Sequence, residues 1–203
     1  MSQAKMLATL NHLFPADGND NYFKSKINEK NDEGSRESLY ALIILSKALQ
    51  LLPSHVDIDK LTFAQDAGGK PYFKQSSIYF NVSHSKGYVA CCVSDECDVG
   101  VDIEASEIAP EKSVKLAKRF FTESQAEAVK RNPQIFTEIW SEKESEAKLF
   151  GKDLCQLLKD QKSVRFACSE NKEIRFHHFK IGNIPLTACT NRNFSTILFK
   201  FIQ

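Results

Sequence analysis

The chain carries almost no net charge. Its 203 residues include 27 Lys and Arg against 26 Asp and Glu, a formal charge of +1. A general polyanion binder needs a basic excess, so nucleic acid is not a predicted partner; a local anion pocket remains compatible with the balance. No apolar run approaches the ~18 residues that cross a bilayer, which predicts no membrane span. The opening Met1-Ser2-Gln3-Ala4-Lys5 leads into no signal-peptide core, because Asn11, His12 and Asp17 interrupt it. The six cysteines (Cys91, Cys92, Cys97, Cys155, Cys168 and Cys189) contain no Cys-x-x-Cys pair. Cys91 and Cys92 are neighbours and would face opposite sides of a strand. These thiols read as reduced, in a cytoplasmic compartment, and they speak against a zinc site.

What is present is ordinary globular material. Hydrophobic residues make up 42% and charged residues 26%, and fifteen Phe supply a core. The length suits one large domain or two small ones. Asn19 to Gly34 is loop-like in composition. A helix is predicted from Ser35, its N-cap, to Leu52, ahead of Pro53. Its buried stripe is Leu39, Leu42, Ile43, Ser46 and Leu49. Gln65 to Pro71 forms a turn. Ile78, Phe80 and Val82 then alternate with Tyr79, Asn81 and Ser83, a strand that Ser83-His84-Ser85-Lys86-Gly87 breaks. Tyr88–Val93 and Asp98–Ile103 read as two further strands.

The remainder follows the same order of helices, then strands. Glu111–Arg119 is a short helix. Thr122 with Gln125 makes a capping box, and Asn132-Pro133 starts a helix that runs to Phe150 and ends at Gly151. Strands are predicted over 162–168, 173–181, 185–190 and 195–202. The fold class is therefore α+β, a pseudo-twofold pair of similar halves, 1–97 and 98–203. Each half packs helices on a small antiparallel sheet.

Three constellations could carry chemistry. In Val99-Gly100-Val101-Asp102-Ile103-Glu104, Asp102 and Glu104 lie two apart on a strand, so both carboxylates face one side. Side-by-side carboxylates repel unless a cation lies between them, and hard oxygen ligands suit Mg²⁺. A solvated polar face gives the same alternation. In the predicted helix, Trp140, Glu144 and Lys148 lie one turn apart, and Phe136, Ile139, Trp140, Ala147 and Phe150 mark a buried stripe. Glu144 thus sits at the margin of buried surface, where a carboxylate is costly unless paired or bound to metal. The alternative is an exposed Glu144–Lys148 pair worth about 0.3–0.5 kcal/mol. Finally, Gly69-Lys70-Pro71 and Ser83-His84-Ser85 offer a lysine, hydroxyls and a histidine as phosphate donors beside strands. Ser83 and His84 would point opposite ways, so they do not make a nucleophile and base. Arg36 stands in the first turn of the first helix, where an anion would be favoured.

In order, Gly-Lys-Pro (69–71), Phe-Asn-Val-Ser-His-Ser (80–85), Val-Gly-Val-Asp-Ile-Glu (99–104), Lys-Arg-Phe-Phe-Thr-Glu (118–123) and Trp-Ser-Glu-Lys-Glu-Ser-x-x-Lys-x-x-Gly-Lys (140–152) resemble the 4′-phosphopantetheinyl transferase superfamily. The doubled layout resembles its two-half, monomeric, surfactin-synthetase-activating branch. The resemblance implies transfer of the phosphopantetheine arm of coenzyme A to a serine of an apo acyl or peptidyl carrier protein, with release of 3′,5′-ADP. It implies that Asp102, Glu104 and Glu144 hold Mg²⁺, with Mn²⁺ also acceptable. It assigns Lys70, Pro71, Ser83 and His84 to the phosphates and adenine side of coenzyme A, and Arg36 to its 3′-phosphate. Lys143 and Lys148 fall on the pyrophosphate and pantetheine side, and Glu123 matches a carboxylate near the metal.

Asp102, Glu144 and Lys148 are the implied catalytic residues. A carrier-facing apolar patch is expected around Lys118–Phe121, with at least one of Phe120 and Phe121 in the core. Two other readings share these residue types: a metal-dependent nucleotide phosphohydrolase, and a non-catalytic module that binds coenzyme A or a carrier.

Overall fold

The computed structural model describes residues 33–52, 54, 57, 60–162 and 174–191. The first helix, α1, spans Glu33–Leu49. It begins two residues earlier than Ser35, so Ser35 lies inside the helix and does not cap it. Leu42, Leu45, Ser46 and Leu49 are buried. A short hairpin follows, β1 (Phe63–Gln65) with β2 (Pro71–Phe73). The longer hairpin pairs β3 (Tyr79–Ser85) with β4 (Tyr88–Ser94).

The strand β3 does not break at Ser83. It continues to Ser85 and turns at Lys86-Gly87, both with positive φ (46° and 82°), as a two-residue hairpin turn of the primed kind requires. Phe80 packs with Phe63 and Phe73, and Val82, Cys91 and Val93 cover the same cluster against Leu42, Leu45 and Leu49 of α1. The even-numbered face of β3 is thus the apolar one that the alternation predicts. The odd-numbered face is polar and is also buried, at Asn81 and Ser83.

That polar face meets β5 (Val99–Ile103). Strand β5 belongs to a three-stranded antiparallel sheet with β6 (Arg175–Ile181) and β7 (Ile184–Thr190), in the order β5-β7-β6. The even members of β5 turn N–H groups to β7 or its end, as Glu104 N–H does to the Pro185 carbonyl at 3.1 Å. The odd members find side chains. Val101 N–H donates to Asn81 Oδ1 (3.0 Å), Ile103 N–H to Ser83 Oγ (3.3 Å) and Ala105 N–H to Ser85 Oγ (3.1 Å). A constant offset of twenty residues shows the two strands running side by side in the same direction. Buried backbone donors demand partners, and here side-chain oxygens supply them to the buried Val101 and Ile103 and to the half-buried Ala105. Beneath this seam, Val101, Ile103, Leu186 and Ala188 pack with Ala90 of β4.

Between β5 and β6 come the helices. α2 (Pro110–Phe120) and α3 (Glu123–Arg131) form as the sequence predicts, and Thr122 and Gln125 make the reciprocal capping box. Asn132 caps a 3₁₀ turn (Pro133–Ile135) that leads into α4 (Phe136–Phe150), which ends at Gly151 with φ 60°. Phe121, Val129 and Phe136 form the core of this group, so Phe121 is the buried member of the Phe pair. Ser141, Lys143, Ser145, Glu146 and Leu149 are buried along with Phe136 and Ala147. The helix is therefore covered on far more than its apolar stripe.

One further helix, α5 (Leu154–Lys162), occupies the stretch before the predicted strand over 162–168. Lys162 is thus helical, and residues 163–168, like the predicted strand over 195–202 and Cys168, lie outside the described residues. The segment before residue 33 does too. Among the described residues, Cys91, Cys92, Cys97, Cys155 and Cys189 are free thiols. Burial pushes the Cys92 and Cys189 thiols up to about 12. No helix of the described residues is long and apolar enough to cross a membrane.

Gly100 decides how close α4 comes to β5. A Cβ at this position would collide with the Ser145 carbonyl and stand 2.8 Å from the Leu149 amide nitrogen, both backbone atoms of α4. Gly100→Ala should lower stability by about 1–3 kcal/mol, the usual cost of overpacking, read as a lower urea midpoint; an unchanged midpoint would show that α4 can move away freely. On β6, the His177 Nε2 is buried without a hydrogen-bond partner among the described residues. Burial first, then His178 and Arg175, hold His177 below its ordinary value. A depressed folded value means that the unfolded chain takes the proton first, so this contribution to stability exists above about pH 6.5 and is lost as pH falls. Between about pH 7 and about pH 5, the Tm of His177→Phe should therefore fall less than that of the parent chain.

Candidate active site

The seam between β3, β5 and α4 gathers most of the chemistry-bearing residues. Asp102 points from the middle of β5 and is 4% exposed. Its Oδ1 accepts from the Ser83 hydroxyl at 2.9 Å and from the Lys148 ammonium at 2.6 Å. Its Oδ2 is buried and has no hydrogen-bond partner among the described residues. Its backbone carbonyl accepts from Ser141 Oγ of α4 at 3.3 Å. Glu104, two residues on and on the same side, receives both of its hydrogen bonds on Oε1: from Ser85 Oγ at 3.1 Å and from Ser106 N–H at 2.8 Å.

Glu144 and Lys148 descend from α4 onto this strand pair. Lys148 Nζ lies 3.9 Å from Glu144 Oε2 but far closer to Asp102, and it also donates to Ser83 Oγ at 2.8 Å. The intrahelical pair that spacing alone allows is therefore secondary to a contact between helix and strand. Burial is the largest cause pushing the Glu144 carboxyl above its ordinary value. Lys148 opposes the shift, the negative charges of Asp102 and Glu104 add to it, and a hydrogen bond from Trp140 opposes it. Glu144 thus feels both strand carboxylates, with the Lys148 ammonium beside it. Among the described residues, no three His, Cys, Asp or Glu side chains stand ready-made as a metal cage. The buried and unpartnered Asp102 Oδ2 is nonetheless an acceptor of the kind that a cation satisfies.

The phosphate-donor candidates divide. The Ser83 hydroxyl gives its single proton to Asp102 and accepts from Ile103 N–H and Lys148. That fills its capacity of one donor and two acceptors, so in this arrangement it has no proton left for a phosphate. His84 faces the other way, as neighbours on a strand must, and its Nδ1 lies 2.7 Å from Glu37 Oε2. Glu37 is a buried residue of α1 that no sequence pattern singles out. Its other oxygen accepts from Gly87 N–H at 2.5 Å, tying the helix to the hairpin turn.

Lys70 donates to the Leu149 carbonyl (2.7 Å) and to Asp98 (3.0 Å), capping the last turn of α4. Pro71 opens β2 opposite Gln65. Lys143 does not join the Asp102 cluster. It is buried with its ammonium 5.5 Å from the centre of the Phe121 ring, and burial pulls its value down while Glu146 and Glu142 oppose that. Arg36 lies in the first turn of α1, with its side chain outside the described residues. Glu123 is exposed in the first turn of α3, where any acidic residue is favoured by the helix dipole.

Around Phe120, the Arg119 guanidinium lies 4.9 Å from the ring centre and Trp140 packs edge-on at 6.2 Å. Lys112, Lys115, Lys118 and Arg119 are exposed along the same helix.

A family model described as the 4′-phosphopantetheinyl transferase superfamily matches residues 98–194, the stretch that contributes Asp102, Glu104, Glu144 and Lys148. The chain is 35% identical over 125 residues to a 4′-phosphopantetheinyl transferase of Aneurinibacillus migulanus, a match taking in 59% of this chain and 49% of that protein. It is 35% identical over 111 residues to a 4′-phosphopantetheinyl transferase of Bacillus subtilis, across 52% of this chain and 47% of the relative. To the 4′-phosphopantetheinyl transferase AcpT of Salmonella typhi it is 30% identical over 160 residues, 75% of each sequence. The chain thus spans about half the length of the first two relatives and three quarters of the third. With the acidic strand and the Glu-x-x-x-Lys helix joined at one seam, and with a relative matched along most of its length, the chain belongs to the 4′-phosphopantetheinyl transferase superfamily.

Proposed function

We propose that this chain transfers the 4′-phosphopantetheine arm of coenzyme A to a serine of an apo acyl or peptidyl carrier protein and releases 3′,5′-ADP. The observation that carries the reading is the buried, unpartnered Oδ2 of Asp102, beside Glu104 and Glu144 and within the reach of Lys148. One buried carboxylate with two half-buried ones beside it calls for positive charge, and one ammonium is less than they need. Asp102, Glu104 and Glu144 would hold Mg²⁺, and Mn²⁺ would serve with the same oxygen donors. The ion, when bound, neutralises the pyrophosphate of coenzyme A.

The residues of the chain do the rest. The serine Oγ–P bond forms as the P–O bond to 3′,5′-ADP breaks. Glu144, whose carboxyl burial pushes up, or a bound water would take the serine proton. Lys148 carries positive charge to the departing phosphate. His84, oriented by Glu37, and the remaining N–H of Lys70 would meet the coenzyme A phosphates, and Pro71 holds Lys70 in place. Arg36 is assigned to the 3′-phosphate, and Lys143 anchors α4 on Phe121 beside the pantetheine side. The basic row of α2 with the Phe120–Trp140 edge is the proposed carrier face. The reading keeps a division into halves 1–97 and 98–203, one chain acting as a monomer in the cytoplasm, with no nucleic acid or membrane partner.

The test is incubation with coenzyme A, Mg²⁺ and an apo carrier protein, followed by intact-mass measurement. A carrier heavier by one phosphopantetheine arm is expected. Coenzyme A breakdown with the carrier unmodified would point to a phosphohydrolase, and binding without either change to a non-catalytic module. Asp102→Ala should abolish transfer while leaving the circular dichroism spectrum unchanged; full activity of that variant with Mg²⁺ would remove the metal assignment. Lys148→Ala should lower kcat more than it raises the KM for coenzyme A, and a change confined to KM would remove its role at the leaving group.

A further inference from the structure

The serines of β3 contact β5 in a way that serves two purposes at once. Ser83 and Ser85 each accept a hydrogen bond from a β5-side backbone N–H, and each spends its only hydroxyl proton on a carboxylate two residues apart on that strand. Asn81 makes the same backbone contact, but at Val101, whose preceding residue is Gly100 rather than an acid. A hydroxyl already held by a backbone donor cannot rotate freely, so its proton has a fixed direction. In both cases that proton falls on one named oxygen, Oδ1 of Asp102 and Oε1 of Glu104. The second oxygen of Asp102 is left buried and unpartnered, and the hydrogen bonds to Glu104 both lie on Oε1.

We propose that Ser83 and Ser85 are positioning residues for divalent-ion binding: they lock the rotation of Asp102 and Glu104 so that Oδ2 and Oε2 point together toward the ion. This rests on the assignment of these carboxylates to the metal and removes Ser83 from direct contact with coenzyme A. Preorganised ligands bind more tightly because no rotamer freedom remains to be lost on binding. Ser85 is the informative position, since it sits at the end of β3, half-buried, where loss of a hydroxyl leaves the core untouched.

The experiment titrates Mn²⁺ alone into the full chain, without coenzyme A or carrier, and follows free Mn²⁺ by electron paramagnetic resonance. Ser85→Ala should bind roughly tenfold more weakly, the effect of losing one hydrogen bond to a charged group. Ser85→Thr, which keeps the hydroxyl, should recover the affinity of the parent chain. Ser83→Ala should show the same weakening with a larger fall in Tm, because Ser83 is fully enclosed. Asp102→Asn reports on the underlying assignment and should lose binding. If Ser85→Ala binds Mn²⁺ like the parent chain while Asp102→Asn does not, the positioning role is overturned and the metal assignment stands. A lowered Tm with unaltered Mn²⁺ affinity overturns it equally, since that is the mark of strand docking alone. Parent-like binding by Asp102→Asn would overturn the metal assignment, and the positioning role with it.

Discussion

Three backbone donors, two on one edge of β5 and one just beyond its end, govern the rest of the molecule. Val101, Ile103 and Ala105 present N–H groups that no strand of the described sheets receives, and Asn81, Ser83 and Ser85 receive them instead. A buried amide without a partner costs about 1–3 kcal/mol, so this seam has a narrow choice of register. Docking β3 on β5 by side chains also places Ser83 and Ser85 against the two acidic residues. The same contacts that join the hairpin to the three-stranded sheet therefore assemble the site.

The third participant comes from close packing. Gly100 leaves no side chain between β5 and α4, and Ser141 and Ser145, both fully buried, keep the facing helix surface small. Only at that separation can Lys148 reach Asp102 at 2.6 Å and Glu144 come under the influence of both strand carboxylates. Lys70 fixes the end of the same helix through the Leu149 carbonyl. Charge and shape are thus coupled: the chemistry requires α4 near the acidic strand, and small residues on both surfaces permit it.

This arrangement conflicts with stability taken alone. Burial raises the Glu144 carboxyl, so its ionised form is disfavoured in the fold, and Asp102 keeps an oxygen without a partner among the described residues. Local rules that hold along α2 and α3, the capping box of α3 and the amphipathic faces of both, are broken at the seam. Such violations concentrate where function demands them.

Much of this was legible in the residues. Alternation in β3, the Thr122–Gln125 box, the Asn132-Pro133 start and the Gly151 end each express a local preference, and each appears in the structure. The acidic pair on one side of β5 follows from the two-residue period of a strand, and the Glu144–Lys148 face from the helical turn. The sequence also named Ser83 and His84 but not their work, because the partners, Asp102 and Glu37, lie 19 and 47 residues away. The continuation of β3 through Ser85 escaped local reading for a related reason. A Ser-His-Ser run reads as a loop until another strand offers it amides to receive. Residue chemistry and spacing determined which groups could act, whereas tertiary docking decided which of them meet, because hydrogen-bond partners across a seam leave no periodic trace in either segment.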